Sequence, residues 1–512
     1  MLSFFSDKYF LSSILISFIS LALFFFNKKT LSLIFLFLGS LVLGIFISSL
    51  DPFLNLWDEQ YHALVAKHLM SNPFKPILIE QPLIITNDWV NANIWLHKQP
   101  LFLWQMAFSI KLFGLNEFGV RFPSVLMHSL LIFFIYDVGK IIHSKKVGYF
   151  SALFFTFSYF CLEYLTGFYP TDHNDVAFLF YTFLSIWALL KYFDTSIKWY
   201  IILIGVFSGL AILNKWLTGL LVYGVWVVLI IYMHKSKFNK KEFLNFATSL
   251  IICCIVFLPW QFYCIANFPK EYASSMDFNL KHISLPLEGH GGDYLFYYNA
   301  FFEQFGEGFI IPFLIILSFV FMLYKFKNVT HKLILITPVF ILYLFFTIVK
   351  TKMYGYVIVA IPFFILSIGY CFNLLMDIIQ VRFKNKTLNY LVKTISVLLL
   401  VFILVNASKL YKHHSNKEYG RYLSRLKEMN EKNFYLKVKA DYKNEKCAIF
   451  NLNFTLNGYI TGIFYTGYAC YDFIPNTKQI DALKALGYKI IIINDNLPEF
   501  IINDISINKI KA

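Results

Sequence analysis

Charge is scarce in this chain. Asp, Glu, Lys and Arg make up 15% of its 512 residues and hydrophobic residues 58%, a balance that excludes a soluble protein of this length. Acidic residues are the scarcer kind, 30 against 45 Lys and Arg, and the formal net charge is +15. In a soluble domain that excess would point to nucleic acid. Here the cations fall in short loops between apolar runs, where they orient a membrane protein, and nucleic acid is discounted. No small-residue cleavage pattern separates the first apolar run from the second, so the first reads as a retained helix. No convincing internal repeat is visible either. That counts against the competing reading, a transporter or lipid flippase built from paired inverted halves with charges at mid-span. A non-catalytic sensor would leave the acid and lysine clusters described below without a task. Polar sequence holds only two of the seven cysteines, Cys447 and Cys470, where a disulfide and two free thiols both fit.

What the chain does have is apolar length. Aromatics reach 20% and the mean hydropathy is +0.60. The pattern predicts a polytopic α-helical membrane protein with about twelve spans near 9–26, 31–50, 121–139, 147–165, 175–192, 199–213, 217–233, 245–264, 308–324, 331–348, 355–375 and 389–408. Alternate loops carry the lysines, among them Lys28, Lys29, Lys145, Lys146, Lys235, Lys237, Lys240, Lys241, Lys325 and Lys327. The positive-inside bias puts these in the cytoplasm. The long loops at 51–120 and 265–307, the turns near 166–174, 214–216 and 349–354, and the tail from 409 to 512 then lie outside. Residues 1–408 read as the transmembrane domain and 409–512 as a small external α/β domain. Within the tail, β-rich runs are expected at 447–452, 458–465 and 489–494, with a helix from 478 to 486.

The outer loops hold the unusual residues. Asp51-Pro-Phe-Leu-Asn-Leu-Trp-Asp58-Glu59 follows the second apolar run, and a helix is expected from Glu59 to Leu69. Asp58 either caps that helix or stays hydrated at the membrane boundary facing a lipid-borne substrate. Trp95-Leu-His97-Lys98-Gln99-Pro100 opens a second surface helix, with Pro100 in its first turn and Trp89, Trp95 and Trp104 at headgroup level. His97 and Lys98 suit anionic headgroups as well as a substrate anion. The third cluster is Asp172-His173-Asn174-Asp175. It fits a helix cap, a cavity-facing acid or, with Asp172, His173 and Asp175 together, a divalent ion. Lys215, Lys350 and Lys352 break the orientation bias by lying outside, and either snorkel to the interface or meet a phosphate. Glu288 and His290 sit in a glycine-rich part of the 265–307 loop, as solvated residues or as part of the same cavity.

Taken in order, these pieces resemble the bacterial integral-membrane glycosyltransferases of the GT-C class, in particular the aminoarabinose lipid A transferase and protein O-mannosyltransferase-like group. The resemblance runs from about residue 50 to 375. It is carried by Asp58-Glu59, His97-Lys98-Gln99-Pro100-Leu-Phe-Leu-Trp104, Phe113-Gly114 through Arg121-Phe-Pro123-Ser124, Asp175, Gly209 through Lys215, and Lys352-Met-Tyr-Gly-Tyr356 followed by Pro362. Gln99 stands where the family often has a second proline. The resemblance implies transfer of a sugar from a polyprenyl-phosphate carrier, undecaprenyl phosphate in a bacterium, to a lipid, glycan or protein acceptor at the outer face of the inner membrane. Proton removal from an acceptor hydroxyl suits Asp58, with Asp175 and Glu59 beside it as acids of the site. The charge growing on the leaving phosphate suits His97, Lys98, Lys215, Lys352 and Tyr356. A divalent metal is compatible with this chemistry but not required by it.

Overall fold

The computed structural model describes residues 6–83, 90, 92–169, 172–234, 239–305, 309–453 and 455–511. Trp89, Lys235 and Lys237 and the side chain of Asp172 lie outside the described residues. Two compact units are present. The first comprises Met1–Ile47, Lys98–Phe102 and Ser124–Lys412, and the second Ser48–His97, Leu103–Pro123 and His413–Ala512.

The first unit is helical because long apolar runs in lipid must satisfy their backbone groups internally. Across the described residues, nine helical stretches are long and apolar enough to cross a bilayer. Each of the twelve expected spans is helical in whole or in part. The difference in number comes from three places. The run expected at 147–165 divides into Lys145–Thr156 and Tyr159–Leu165, with Ser158 extended between them. The run expected at 308–324 forms a shorter helix, Ile310–Lys325, and 199–213 and 217–233 form one stretch, Trp199–Met233. That stretch is interrupted by the 3-10 turn Trp216–Leu220, where Trp216 has φ 53°. Gly219 allows the interruption: a Cβ there would meet the Ile212 amide at 2.5 Å, and the Gly219 carbonyl accepts from Ser208 Oγ at 2.7 Å.

In the second unit a four-stranded parallel sheet has the order β2-β1-β3-β4, with β1 Cys447–Phe450, β2 Ala469–Cys470, β3 Lys489–Ile493 and β4 Asn508–Ile510. The unbroken isoleucine run of β3 is what a parallel strand buried on both faces requires. Phe450, Tyr471, Leu483, Ile490 and Ile492 make its core. Cys447 and Cys470 are buried free thiols, and the register sets Ile449 opposite Cys470.

One tail element corrects the sequence reading. The run at 458–465, expected as a strand, is the helix Gly458–Thr466, buried along its whole length. Gly458 and Gly462 lie one helical turn apart, and their missing side chains let Glu431 and Tyr435 of the helix Arg421–Asp441 pack closely. Tyr435 donates to the Gly458 carbonyl at 2.8 Å. Gly467, at φ 81°, supplies the left-handed residue that ends the helix. Lys67 donates to the carbonyls of Ile463 and Phe464 at 2.6 and 2.9 Å.

Candidate active site

In the second unit, Asp58 opens the helix Asp58–Leu69. It is partly exposed, whereas Glu59 is 2% exposed. The residue before it, Trp57, has φ 68°, a backbone conformation that a large side chain adopts only when its surroundings impose it.

Those surroundings are built around Arg121, which is fully buried. Its Nε and Nη2 grip the two Glu59 carboxylate oxygens at 2.6 and 2.8 Å. The remaining donors reach the carbonyls of Ser48 at 2.7 Å, Asp51 at 2.5 Å and Phe53 at 2.6 Å. All five N–H groups of the guanidinium are therefore used, and the entire 48–59 turn is held by one side chain. Glu59 Oε2 also accepts from the Asn55 amide at 2.6 Å. The acid next to Asp58 is thus engaged in locking the loop that presents Asp58.

A second anchor acts on the same turn. Asp51 is fully buried and accepts from His414 at 2.9 Å, Arg421 at 2.8 Å and Arg425 at 2.9 Å. Burial works to raise its pKa, but the charges of His414, Arg421 and Arg425 outweigh that and hold its carboxyl well below the usual carboxylate range. Arg421 and Arg425 are one helical turn apart, so they meet a single carboxylate from one face. His97 is also in this unit and is 5% exposed, with its ring 5.5 Å from that of Trp95.

In the first unit, Asp175 lies in the opening turn of the helix Asp172–Thr195 and is fully buried. It is ion-paired with Lys215, the last residue of Trp199–Lys215. The Lys215 ammonium also stands 4.4 Å from the centre of the Tyr356 ring, within cation–π range. Gly355 presses its backbone onto this pair: a Cβ there would run into the Asp175 carboxylate and the Tyr164 hydroxyl. Asp175, Lys215 and Tyr356, picked from three separate stretches of sequence, are brought together. His173 lies beside them in sequence and contacts Ser124 Oγ through Nδ1 at 3.0 Å. Lys98 is partly buried in this unit, and its neighbour Gln99 accepts from the Gln261 side chain at 2.9 Å.

Lys352 sits differently. It is 3% exposed, and its ammonium donates to the carbonyls of Phe346, Thr347 and Val349 at 2.9, 2.8 and 2.6 Å. These close the helix Val329–Ile348, so the three donors that a phosphate would need are spent on helix-end carbonyls. Burial also lowers the Lys352 pKa. Replacement by methionine is expected to lower thermal stability by about 1–3 kcal/mol, from the orphaned carbonyls. Affinity for polyprenyl phosphate, measured below the melting transition, should change less than about threefold. A large loss of phosphate affinity at unchanged melting temperature would return Lys352 to the phosphate.

Glu288 and His290 belong to the irregular segment after the helix Pro269–Ser284. The Lys352 amide donates to the His290 carbonyl at 2.9 Å, and those of Lys350 and Thr351 donate to Ile283 and His282, both at 3.1 Å. Glu288 faces His282, Nε2 to carboxylate 3.7 Å. The 282–290 and 349–353 loops, both expected outside, are thereby tied edge to edge. Among the described residues no three His, Cys, Asp or Glu side chains converge as a metal site.

From the sequence neither Arg121 nor Asp51 has an assigned task. The available signal was an arginine within a run of apolar helix, which demands a partner.

Comparison with known proteins bears on the fold. The family described as dolichyl-phosphate-mannose-protein mannosyltransferase matches residues 97–263. Over 190 residues the chain is 24% identical to the undecaprenyl phosphate-alpha-4-amino-4-deoxy-L-arabinose arabinosyl transferase of Pseudomonas savastanoi pv. phaseolicola (strain 1448A / Race 6). That match takes in 36% of this chain and spans only 34% of the relative's length. Among solved structures, apo ArnT from Cupriavidus metallidurans superposes with a TM-score of 0.61 at 15% identity, covering 89% of this chain and 88% of that one. The same protein bound to undecaprenyl phosphate gives 0.60 at 14% identity, with 88% of each chain covered. The apo oligosaccharyltransferase of Archaeoglobus fulgidus gives 0.56 at 10% identity, over 88% of this chain and 65% of that one. The fold is that of the GT-C membrane glycosyltransferases.

The part that Arg121 and Asp51 hold in place is the turn at residues 48–59, which leads into the helix Asp58–Leu69. The fold is shared at very low identity, so the individual side chains above carry the chemical argument.

Proposed function

We propose that this protein is a membrane glycosyltransferase that moves a sugar from a polyprenyl-phosphate donor to a lipid, glycan or protein acceptor at the outer face of the bacterial inner membrane. The observation that carries the reading is the preorganised acid: Asp58 opens a helix whose entire entry turn is fixed by one fully satisfied arginine. A carboxylate held in this way meets the demand for a proton acceptor positioned before the reaction begins.

In the proposed reaction the acceptor hydroxyl oxygen forms a bond to the anomeric carbon and gives its proton to Asp58. The bond from that carbon to the phosphate oxygen breaks, and the phosphate leaves with the electron pair. A single displacement inverts the anomeric centre. The negative charge that grows on the phosphate is met by Lys215, steadied by Asp175 and Tyr356, with Lys98 and His97 as further donors. Glu59 acts by positioning, through Arg121. The steps as proposed are carried by side chains, and a divalent metal is compatible with them but not required. Support for the lipid-phosphate donor also comes from the structurally similar protein whose complex contains undecaprenyl phosphate.

Mass spectrometry of envelope lipids, glycans and proteins, with and without the gene, is the direct test. A pentose or hexose increment should disappear from one acceptor and return with the wild-type gene. Envelopes of identical mass composition would remove the proposal.

A further inference from the structure

The second unit has an open cleft of about 430 Å³ that the reaction above does not use. Leu56 forms one part of its wall, and Ser424, Glu428, Asn453, Thr455 and Leu456 form most of the rest. Its volume is within the roughly 300–1,000 Å³ range of small-molecule sites.

Glu428 is the anomaly. It is 7% exposed, and its Oε2 has no hydrogen-bond partner among the described residues. Leaving a buried carboxyl oxygen unpaired costs free energy, a cost that is smaller for the neutral acid than for the carboxylate. Burial pushes the Glu428 carboxyl up to about 8, against the pull of Arg421 and with the help of Asp51 and Glu431. At neutral pH it is therefore mainly a neutral acid, able both to donate and to accept. Next to it, Thr455 Oγ1 is hydrogen-bonded to Glu431 at 2.5 Å. Glu431 is itself 3% exposed.

The wall thus combines two exposed or half-exposed leucine side chains with hydroxyl, amide and neutral carboxyl groups. That mixture matches a sugar ring, which has C–H faces for apolar contact and hydroxyls around its edge. A phosphate would find only Lys427 as a cation and would face the Glu428 carboxyl. We propose that the cleft is a saccharide-binding site that seats a neutral glycan portion of the acceptor. Leu56 belongs to the Arg121-locked turn and precedes Asp58 by two residues, so one wall residue of the cleft and the proposed proton acceptor share a single held loop. This inference rests on the transferase reading and narrows its acceptor to a glycan or glycan-bearing molecule.

The test is saturation-transfer NMR on the full-length protein in detergent at pH 7. The probes are maltose, lactose and N,N′-diacetylchitobiose, with glucosamine and glucose 1-phosphate as cationic and anionic controls. At least one neutral disaccharide should show transfer that falls about fivefold or more in Glu428→Leu and in Thr455→Val, consistent with loss of one buried hydrogen bond. Asn453→Ala, at an exposed position, should weaken the signal without affecting folding, which keeps the test decisive if Glu428→Leu does not fold. The cleft assignment falls if no neutral disaccharide binds, if binding ignores all three substitutions, or if only a charged control binds. Binding that behaves as expected in a protein with no transferase activity would overturn the proposed function and leave the cleft standing. Activity without saccharide binding would do the reverse.

Discussion

Asp58→Asn is expected to reduce sugar transfer by about 10²–10⁴-fold, the usual contribution of a positioned general base. The substitution keeps the size of the side chain, and asparagine is tolerated at a helix start. The loop that presents residue 58 is held by Arg121 and Asp51, neither of which the substitution removes. The loss should therefore fall on kcat, with donor affinity and melting temperature close to wild type. The measurement is turnover of a defined polyprenyl-phosphate sugar by purified protein, with donor binding followed separately. Wild-type turnover in the asparagine variant would deprive the mechanism of its proton acceptor. An equal rise in KM with unchanged kcat would make Asp58 a binding residue instead.

Replacing Arg121 by methionine should have the largest effect on stability. Both partners of the Arg121–Glu59 ion pair are buried, with side-chain exposures of 0% and 1%. Removing one member of such a pair strands the other charge and costs about 3–5 kcal/mol. Three backbone carbonyls, of Ser48, Asp51 and Phe53, lose their donor as well. The variant is expected to lose its folded state well below the wild-type melting temperature, read by thermal unfolding in detergent. Arg121→Met combined with Glu59→Met removes the stranded charge and should recover part of the loss. It cannot recover all of it, because the three carbonyls stay unpaired. A wild-type melting curve for the single variant would show that the ion pair is dispensable. Arg121→Lys should also fail, since an ammonium cannot match a planar five-donor fork.

The two predictions separate neighbours that sequence alone treats as equals. Asp58 and Glu59 are adjacent carboxylates at a helix start, and both are plausible catalytic acids on composition. Their difference is one of direction. Consecutive helical residues point about 100° apart, so one faces the Arg121 fork in the interior and the other is left partly exposed. The same holds for the lysines. From sequence Lys215 and Lys352 are expected to break the orientation bias alike, yet Lys215 meets Asp175 and Tyr356 while Lys352 closes the end of the helix that precedes it.

The membrane class, the positions of the apolar helices, the β-strands at 447 and 489 and the acids at helix starts follow from composition and periodicity, because these are local properties of the chain. The helical form of 458–466 does not, since an apolar run of that length fits strand and helix equally until Gly458 and Gly462 meet Glu431 and Tyr435. Nor does the grouping of residues 48–97 and 103–123 with the tail in one compact unit, or the use of His414, Arg421 and Arg425 to hold Asp51. Those pairings join residues more than 300 positions apart. Only the folded chain decides them, because a buried charge takes whichever partner packing delivers, and no local pattern records which one that is.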